Sequence, residues 1–154
     1  MRQRGELTWS CVVRRRALER DRAFLEQAHL AALGPVALVG YGWTKQRLQS
    51  QFLEEVRLKN CEVIVVDGSD AGYISTEDRR THWYVDAFAI VPNYQRRGIG
   101  AAALRGLLAD AGARPVRLSV LRTNPARSLY TRLGFRVIGG DRLREFMEWN
   151  ARAA

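Results

Sequence analysis

Residues 93–108, NYQRRGIGAAALRGLL, place two adjacent arginines and two glycines at the start of an apolar run with helical spacing. The run 83–91, WYVDAFAIV, precedes this stretch and is typical of a long β-strand that ends at Pro92. The sequence therefore predicts a strand, a tight basic turn and a helix in direct succession.

The basic turn, residues 95–100, has the properties of an anion site. The first N–H groups of a helix lack intrahelical partners and carry partial positive charge, so a bound phosphate can satisfy both. Glycine lets a ligand approach the backbone closely, and arginine adds charge-assisted contacts to phosphate oxygens. These residues indicate a diphosphate cradle, although a flexible turn with exposed arginines explains them equally well.

Two other phosphate-binding motifs fit less well. Gly98-x-Gly100-x-x-Ala103 matches the dinucleotide fingerprint, but that fold places a carboxylate about 20 residues further on. Residues 119–124 read SVLRTN and contain no carboxylate, and the turn follows a predicted hairpin rather than a parallel strand–helix unit. A Walker-type loop requires Gly-Lys-Ser or Gly-Lys-Thr, which does not follow here.

Length and composition are those of an ordinary globular protein. The 154 residues predict a single domain over 1–154 that is large enough to bury a hydrophobic core. No apolar run approaches the roughly 20 residues of a membrane span, and the N-terminal residues lack the apolar segment of a secretory signal. We therefore expect a cytoplasmic protein with no membrane partner.

The remaining composition argues against several classes of site. Cys11 and Cys61 are too few for a disulfide scaffold, and His29 and His82 lack metal-ligand spacing, so we expect no metal. The net charge of +9 comes almost entirely from arginine and is compatible with a nucleic-acid or polyanionic partner. No basic run is interleaved with aromatic residues, however, and this argues against nucleic acid.

Hydrophobic periodicity and turn residues predict the order β-α-α-β-β-β-α-β-α-β-β, which is an α/β (α+β) fold with a mixed sheet of about seven strands and about four helices on both faces. The predicted elements before the basic turn are a strand at 7–13, a helix capped by Asp21 and stopped by Gly34-Pro35, a turn-prone stretch, a helix capped by Thr44, and an antiparallel hairpin over 61–77 around DGSDAG. Those after it are a helix ending at Gly112, a strand at 116–121, a short helix within 124–135 marked by Asn124-Pro125 and Gly134, and strands at 135–138 and 143–149.

The chain resembles the GCN5-related N-acetyltransferase (GNAT) superfamily in two motifs. Gln95-x-x-Gly98-x-Gly100 matches the family's acetyl-CoA signature, Q/R-x-x-G-x-G/A. The segment 124–135, NPARSLYTRLGF, is similar to a later helix of the family, in which an asparagine and a tyrosine recur before Gly-Phe. The similarity covers about residues 83–138, and it implies a mainly antiparallel sheet.

The resemblance implies that acetyl-CoA lies where the strands at 83–91 and 116–121 separate. The backbone of Ile90 and Val91 would pair with the pantetheine arm, and Asn124 would contact it. Tyr130 would lie near the sulfur and protonate the departing thiolate, although it could instead simply pack its helix on the sheet. The signature residues that would hold the pyrophosphate are Gln95, Arg96, Arg97, Gly98, Ile99 and Gly100.

The expected reaction is direct attack of a neutral amine on the thioester, which requires a route for the amine proton. Many relatives carry a glutamate at about the position of Ala87, and this sequence departs from them. Asp86 is adjacent, but the two-residue period of a strand predicts that it points to the opposite face. Glu77 or Asp78 could act through water, and a mechanism without a side-chain base is also open.

The acceptor is expected to be a primary amine of a small molecule or peptide. In the family the first two helices and nearby loops select it, and here Tyr41 and Trp43 could form an aromatic wall or belong to the core. The arginine excess argues against a polycationic acceptor unless local acids outweigh it. A homodimer fits the family, while a non-catalytic acetyl-CoA-binding module and a basic nucleic-acid-binding protein stay open as alternatives.

Overall fold

In the computed structural model, which describes residues 11–152, seven strands form one sheet and four α-helices pack on it. The strands are β1 (Val12–Arg16), β2 (Cys61–Val66), β3 (Ser69–Asp78), β4 (Trp83–Ile90), β5 (Val116–Leu121), β6 (Arg136–Gly140) and β7 (Arg144–Trp149). The helices are α1 (Arg22–Gly34), α2 (Lys45–Glu55), α3 (Ile99–Ala111) and α4 (Ala126–Arg132). The sheet order is β1-β2-β3-β4-β5-β7-β6, and among these strands only β4 and β5 pair in parallel. The predicted element order and the mixed, mainly antiparallel sheet are confirmed.

The first strand lies further along the chain than predicted. Residues 7–10 of the expected strand lie outside the described residues, and β1 continues through the arginine run to Arg16. Carboxylates pair with two of these arginines: Arg14 bonds Glu62 on β2 at 3.2 Å and also bonds Asp110, and Arg15 bonds Asp21. Such pairing lets a charged segment form an edge strand.

Asp21 stands before α1, but its side chain does not cap that helix. The carboxylate accepts two bonds from Arg15, both at 2.9 Å, and one from the Leu18 N–H at 2.7 Å. These contacts, led by the Arg15 hydrogen bond, lower the pKa of the buried Asp21 to about 2. Asp21 therefore ties β1 to the start of α1.

The sequence predicted that the first helix stops at Gly34-Pro35, but the chain stays helical beyond that point. Residues Pro35–Val39 form a π-helical segment, and the turn-prone stretch expected here is wrong. Proline lacks an N–H and its ring crowds the preceding turn, so the helix widens at this point instead of ending. Thr44 caps α2 as expected, because its side chain accepts from the Arg47 N–H at 3.0 Å.

The predicted hairpin of β2 and β3 is confirmed, but its turn is tighter than DGSDAG suggested. Asp67 and Gly68 alone make the turn, with φ of 47° and 85°, which is the two-residue geometry that matches strand twist. Ser69 onward belongs to β3, so the later part of the turn prediction is wrong.

The two faces of the sheet carry separate helix layers, and β4 contributes to both. Val85 and Ile90 pack with α3 and α4, whereas Ala87 and Ala89 pack with α1 and α2. β4 and β5 pair only from Trp83 to Val85, and the two strands separate beyond that point. Among the helices described between residues 11 and 152, none has the length and apolar character of a membrane span. The gap between β4 and β5 positions the site.

Replacement of Gly72 by alanine is expected to destabilise the sheet beside this gap. A Cβ at Gly72 would lie 2.2 Å from the Ala89 carbonyl oxygen and 3.0 Å from the Ile90 Cα, both backbone atoms. We expect Gly72→Ala to lower the free energy of unfolding by about 1–3 kcal/mol in urea denaturation. Gly34→Ala is the control, because its Cβ would meet nothing closer than 3.9 Å. Equal midpoints for Gly72→Ala and the parent would contradict the expectation.

Candidate active site

Two clefts meet at the gap between β4 and β5. The first, about 910 Å³, lies on the α1/α2 side and is named the acidic cleft after the six carboxylates among its lining residues, Glu54, Glu55, Glu77, Asp78, Asp86 and Asp141. The second, about 790 Å³, is named the glycine cleft because Gly98 and Gly100 line it. Leu33, Phe88 and Asn124 line both clefts. A ligand in one cleft can therefore touch a ligand in the other.

The basic turn forms one wall of the glycine cleft. Arg96 and Gly98 adopt positive φ of 60° and 79°, and Gly98 stands at the N-cap of α3 without a side-chain cap. The first bond of the helix runs from the Ala102 N–H to the Gly98 carbonyl at 3.1 Å. The amides that precede this bond have the character of an anion site.

The other signature residues are placed unequally around the glycine cleft. Gln95, Arg96 and Gly100 line it, whereas Ile99 is buried in the core and Arg97 stacks over Tyr94 with 5.5 Å to the ring centre. A Cβ at Gly100 would lie 3.1 Å from Phe88 Cζ, 3.5 Å from Leu129 and 3.6 Å from Ile90, all of which line the cleft. The absence of a side chain at Gly100 keeps this space open.

The free edge of β4 is offered by Phe88 and Ile90. The Val91 N–H donates to the Ala71 carbonyl at 2.9 Å, and the Val91 carbonyl accepts from the Tyr94 N–H at 2.9 Å. In an antiparallel ladder the backbone groups of alternate residues face opposite edges, so those of Phe88 and Ile90 face the gap. Gln95 Nε2 donates to the Ile90 carbonyl at 2.8 Å. Because the Val91 N–H already donates to the Ala71 carbonyl, Val91 has no N–H left for a ligand.

Asn124, just before α4, lines both clefts, and Tyr130 on α4 lines the acidic cleft. Asn124 Oδ1 accepts from the Ala126 N–H at 2.9 Å, so its side chain fixes the start of the helix that Pro125 precedes. Tyr130 is 6% exposed, packs on the rings of Phe88 and Phe135, and lines the acidic cleft. Burial raises the pKa of the Tyr130 phenol well above its usual value, which keeps its proton in place at neutral pH.

Asp86 lies on the same face as Ala87, and the prediction that it points to the opposite face is wrong. Ser75 pairs with Ala87 and Thr76 pairs with Val85, so Asp86 is an extra residue in a β-bulge. Ser75 Oγ lies 3.5 Å from Asp86 Oδ2, which places both side chains on the α1/α2 side. A bulge breaks the two-residue period.

Charge and burial act together on Asp86. Burial is the largest cause that raises the pKa of Asp86, to about 6, and the nearby Glu77 carboxylate adds to it. Arg79 opposes this rise, but it is bonded to Glu77 at 3.2 Å and lies 3.9 Å from the ring centre of Tyr84. The cleft is therefore lined both by a carboxylate that can exchange a proton near neutral pH and by a phenol that keeps its own.

The structure thus brings Glu77, Asp86 and Tyr130 together in the acidic cleft, while most signature residues line the glycine cleft. Asp78 also lines the acidic cleft, but it is bonded to Arg114 at 2.5 Å. Trp43 lines the same cleft. The Tyr41 hydroxyl instead donates to the Leu143 carbonyl at 3.1 Å.

Sequence reasoning missed a buried pair beside the acidic cleft, of which His29 lines the cleft and Tyr73 is fully buried. His29 Nδ1 lies 2.8 Å from the Tyr73 hydroxyl, and the two residues come from α1 and β3. Their separation of 44 positions leaves no local signal for the contact. Among the residues from 11 to 152, no group of three or more His, Cys, Asp or Glu side chains could hold a metal ion.

Residues 59–137 match the protein-family model for the acetyltransferase (GNAT) domain. No curated protein matches the chain.

Several solved structures share the fold. PaiA N-acetyltransferase from Thermoplasma acidophilum, in complex with coenzyme A, aligns with a TM-score of 0.75 at 18% identity over 92% of this chain and 99% of that one. An acetyltransferase from Thermus thermophilus aligns with a TM-score of 0.69 at 19% identity, over 92% of this chain and 97% of that one. A GNAT family acetyltransferase from Brucella melitensis, in complex with acetyl-CoA, aligns with a TM-score of 0.63 at 23% identity, over 92% of this chain and 88% of that one.

Asp86 is expected to titrate at about 6 when its carboxyl carbon is followed by NMR. Because Glu77 is the second cause of the raised pKa, Glu77→Gln should lower the Asp86 pKa while leaving it above the ordinary value of 3.8, since burial stays. Glu54→Gln, in the same cleft, is the control and should leave the midpoint unchanged. An Asp86 titration midpoint that is the same in Glu77→Gln and in the parent would show that the two carboxylates do not interact.

Proposed function

The chain belongs to the acetyltransferase (GNAT) domain family, and we propose that it moves an acetyl group from acetyl-CoA directly to a primary amine of a small molecule or peptide. The observation that carries the proposal is the junction of the two clefts at Leu33, Phe88 and Asn124. Two substrates can bind side by side there, so no covalent enzyme intermediate is required. The chain would do this as one domain over residues 1–154.

The glycine cleft is the proposed site of acetyl-CoA. The turn at residues 95–100 would hold the pyrophosphate through its amides and arginines, and the free edge of β4 at Phe88 and Ile90 would pair with the pantetheine arm. The missing side chain at Gly100 leaves room for that arm beside Phe88. Asn124 would contact the same arm near the junction. Two structural neighbours were crystallised with coenzyme A or acetyl-CoA, which supports the assignment.

Asp86 is the proposed base. Its pKa of about 6 leaves it ionised at pH 7 and above, and it lies two residues before Phe88 on β4. The acceptor ammonium would lose one proton to Asp86 through a water molecule before its nitrogen attacks the thioester carbon. Glu77 is paired with Arg79, so it is better placed to raise the pKa of Asp86 than to act as the base itself.

Tyr130 is the proposed acid. As the carbon–nitrogen bond forms and the carbon–sulfur bond breaks, the departing thiolate takes the Tyr130 hydroxyl proton. Solvent passes the second nitrogen proton back to the Tyr130 oxygen, and Asp86 releases its proton to solvent. The products are the amide, the CoA thiol and one proton. A backbone N–H on the free edge of β4 could stabilise the negative oxygen during transfer.

Titration calorimetry with acetyl-CoA tests the cofactor assignment, with NADH as the ligand control. We expect acetyl-CoA alone to bind. Gly100→Val fills the space beside Phe88 and is expected to weaken acetyl-CoA binding by roughly tenfold or more, a change of about 1.4 kcal/mol. Gly106→Val on the same helix faces Arg14, outside the lining of the glycine cleft, and should bind normally. Folded protein that binds no acetyl-CoA would refute the proposed function.

Replacement of Tyr130 by phenylalanine separates catalysis from binding. The ring contacts with Phe88 and Phe135 remain, so we expect folding and acetyl-CoA affinity to be kept while kcat falls by about 100-fold. Thiol release with an amine acceptor is the measurement. Tyr41→Phe, which removes a hydroxyl bonded to the Leu143 carbonyl, is the control and should retain kcat. Unchanged turnover in Tyr130→Phe would exclude the proton-donor role.

A further inference from the structure

A cluster of three charged side chains joins α4 to β7. Glu145 is only 9% exposed, and its two carboxylate oxygens accept from Arg127 Nε at 3.1 Å and from Arg127 Nη2 at 2.6 Å. Arg122 Nη1 donates to the same carboxylate at 3.1 Å. A two-bond contact between arginine and carboxylate fixes direction as well as distance. We name Glu145, Arg122 and Arg127 the Glu145 clamp.

The other guanidinium donors of the clamp hold backbone groups. Arg127 Nη1 donates to the Arg122 carbonyl at 2.9 Å, which closes the connection between β5 and α4 on itself. Arg122 Nε and Nη2 donate to the Asp141 carbonyl, between β6 and β7, at 3.1 and 2.8 Å. Connecting segments are ordinarily more mobile than the elements they join. Here one buried carboxylate holds two connections and a helix in a single arrangement.

The segment that the clamp holds carries two residues of the proposed site. Asn124 lies between Arg122 and Arg127 in the chain and lines both clefts. Tyr130 lies three residues after Arg127 on α4, which is about one helical turn. None of the three clamp residues lines either cleft. The clamp can therefore influence a substrate only through the residues that it holds in place.

The clamp also lies where β5 separates from β4. β5 pairs with β4 only as far as Leu118. Beyond that point its neighbour is β7, on which Glu145 pairs with Val120. The Arg122 N–H then donates to the Leu143 carbonyl at 3.0 Å. The end of β5 is thus fixed on the side away from β4, and the gap between the two strands stays open.

From these contacts, and resting on the proposed function, we propose that Glu145 is a positioning residue for acetyl transfer. Through Arg122 and Arg127 it holds Asn124 at the pantetheine arm and Tyr130 at the departing sulfur. Without the carboxylate, two neighbouring guanidinium groups would lose their shared anion and repel each other. The connection and α4 would then shift, and a displacement of about 1 Å can reduce a reaction rate by about 100-fold.

Glu145→Gln tests the proposal, because it removes the charge and keeps the shape of the side chain. We expect the Kd for acetyl-CoA, measured by calorimetry, to rise about tenfold and kcat for thiol release to fall about tenfold. Glu148→Gln is the matched control, since Glu148 also joins β7 to β5 through its 2.7 Å bond to Arg117. It should keep the Kd and kcat of the parent. Equal losses in the two variants would overturn the proposal.

Double variants distinguish positioning from a general structural role. If Glu145 acts through Asn124, Glu145→Gln should change the Kd for acetyl-CoA little in an Asn124→Ala background. If it acts through Tyr130, the same change should alter kcat little in a Tyr130→Phe background. The full loss in both backgrounds would show that Glu145 acts independently of these two residues and would overturn the proposal.

The outcomes also separate this proposal from the proposed function. Parent values of Kd and kcat in folded Glu145→Gln would overturn the positioning role and leave the acetyltransferase proposal in place. Absence of acetyl-CoA binding by the folded parent would overturn both. If Glu145→Gln does not fold, Arg127→Lys takes its place, because it keeps the charge but loses the two-bond contact. It should show smaller losses in the same direction, and parent values would again overturn the role.

Discussion

The limited pairing of β4 with β5 is the constraint on which the rest of the site depends. The two strands share hydrogen bonds only from Trp83 to Val85 and then separate, so one edge of β4 stays free in the middle of the sheet. Edge groups inside a sheet normally pair with a neighbour. Here the gap leaves them to a ligand, and it is also the place where the glycine cleft and the acidic cleft meet.

The bulge at Asp86 gives this gap its chemistry. One extra residue in β4 turns Asp86 and Ala87 to the same face, beneath α1 and α2, while Phe88 and Ile90 face the other layer. Half-burial then raises the pKa of Asp86 into the range where a carboxylate can exchange protons at neutral pH. Without the bulge, the same residue in the same strand would lie on the opposite face.

The arginine-rich composition does not predict the charge of the acidic cleft, because many arginines are paired with carboxylates elsewhere on the molecule. Arg14 bonds Glu62 and Asp110, and Arg122 and Arg127 both bond Glu145. These pairs join strands and helices, and they leave a recess in which carboxylates outnumber cations. Net charge describes the whole surface and does not fix the local potential of a cleft.

The sequence alone determined the order of elements, the hairpin, the basic turn before α3 and the helix that carries Tyr130, since each depends on neighbouring residues. The π-helical segment, the bulge and the pairing of His29 with Tyr73 could not be predicted, because each is decided by contacts between distant parts of the chain. The separation of β4 from β5 belongs to the same group. Sequence spacing could therefore identify the candidate residues, whereas only the packing of α1, α2, β3 and β4 decided which of them share a cleft and what charge surrounds them.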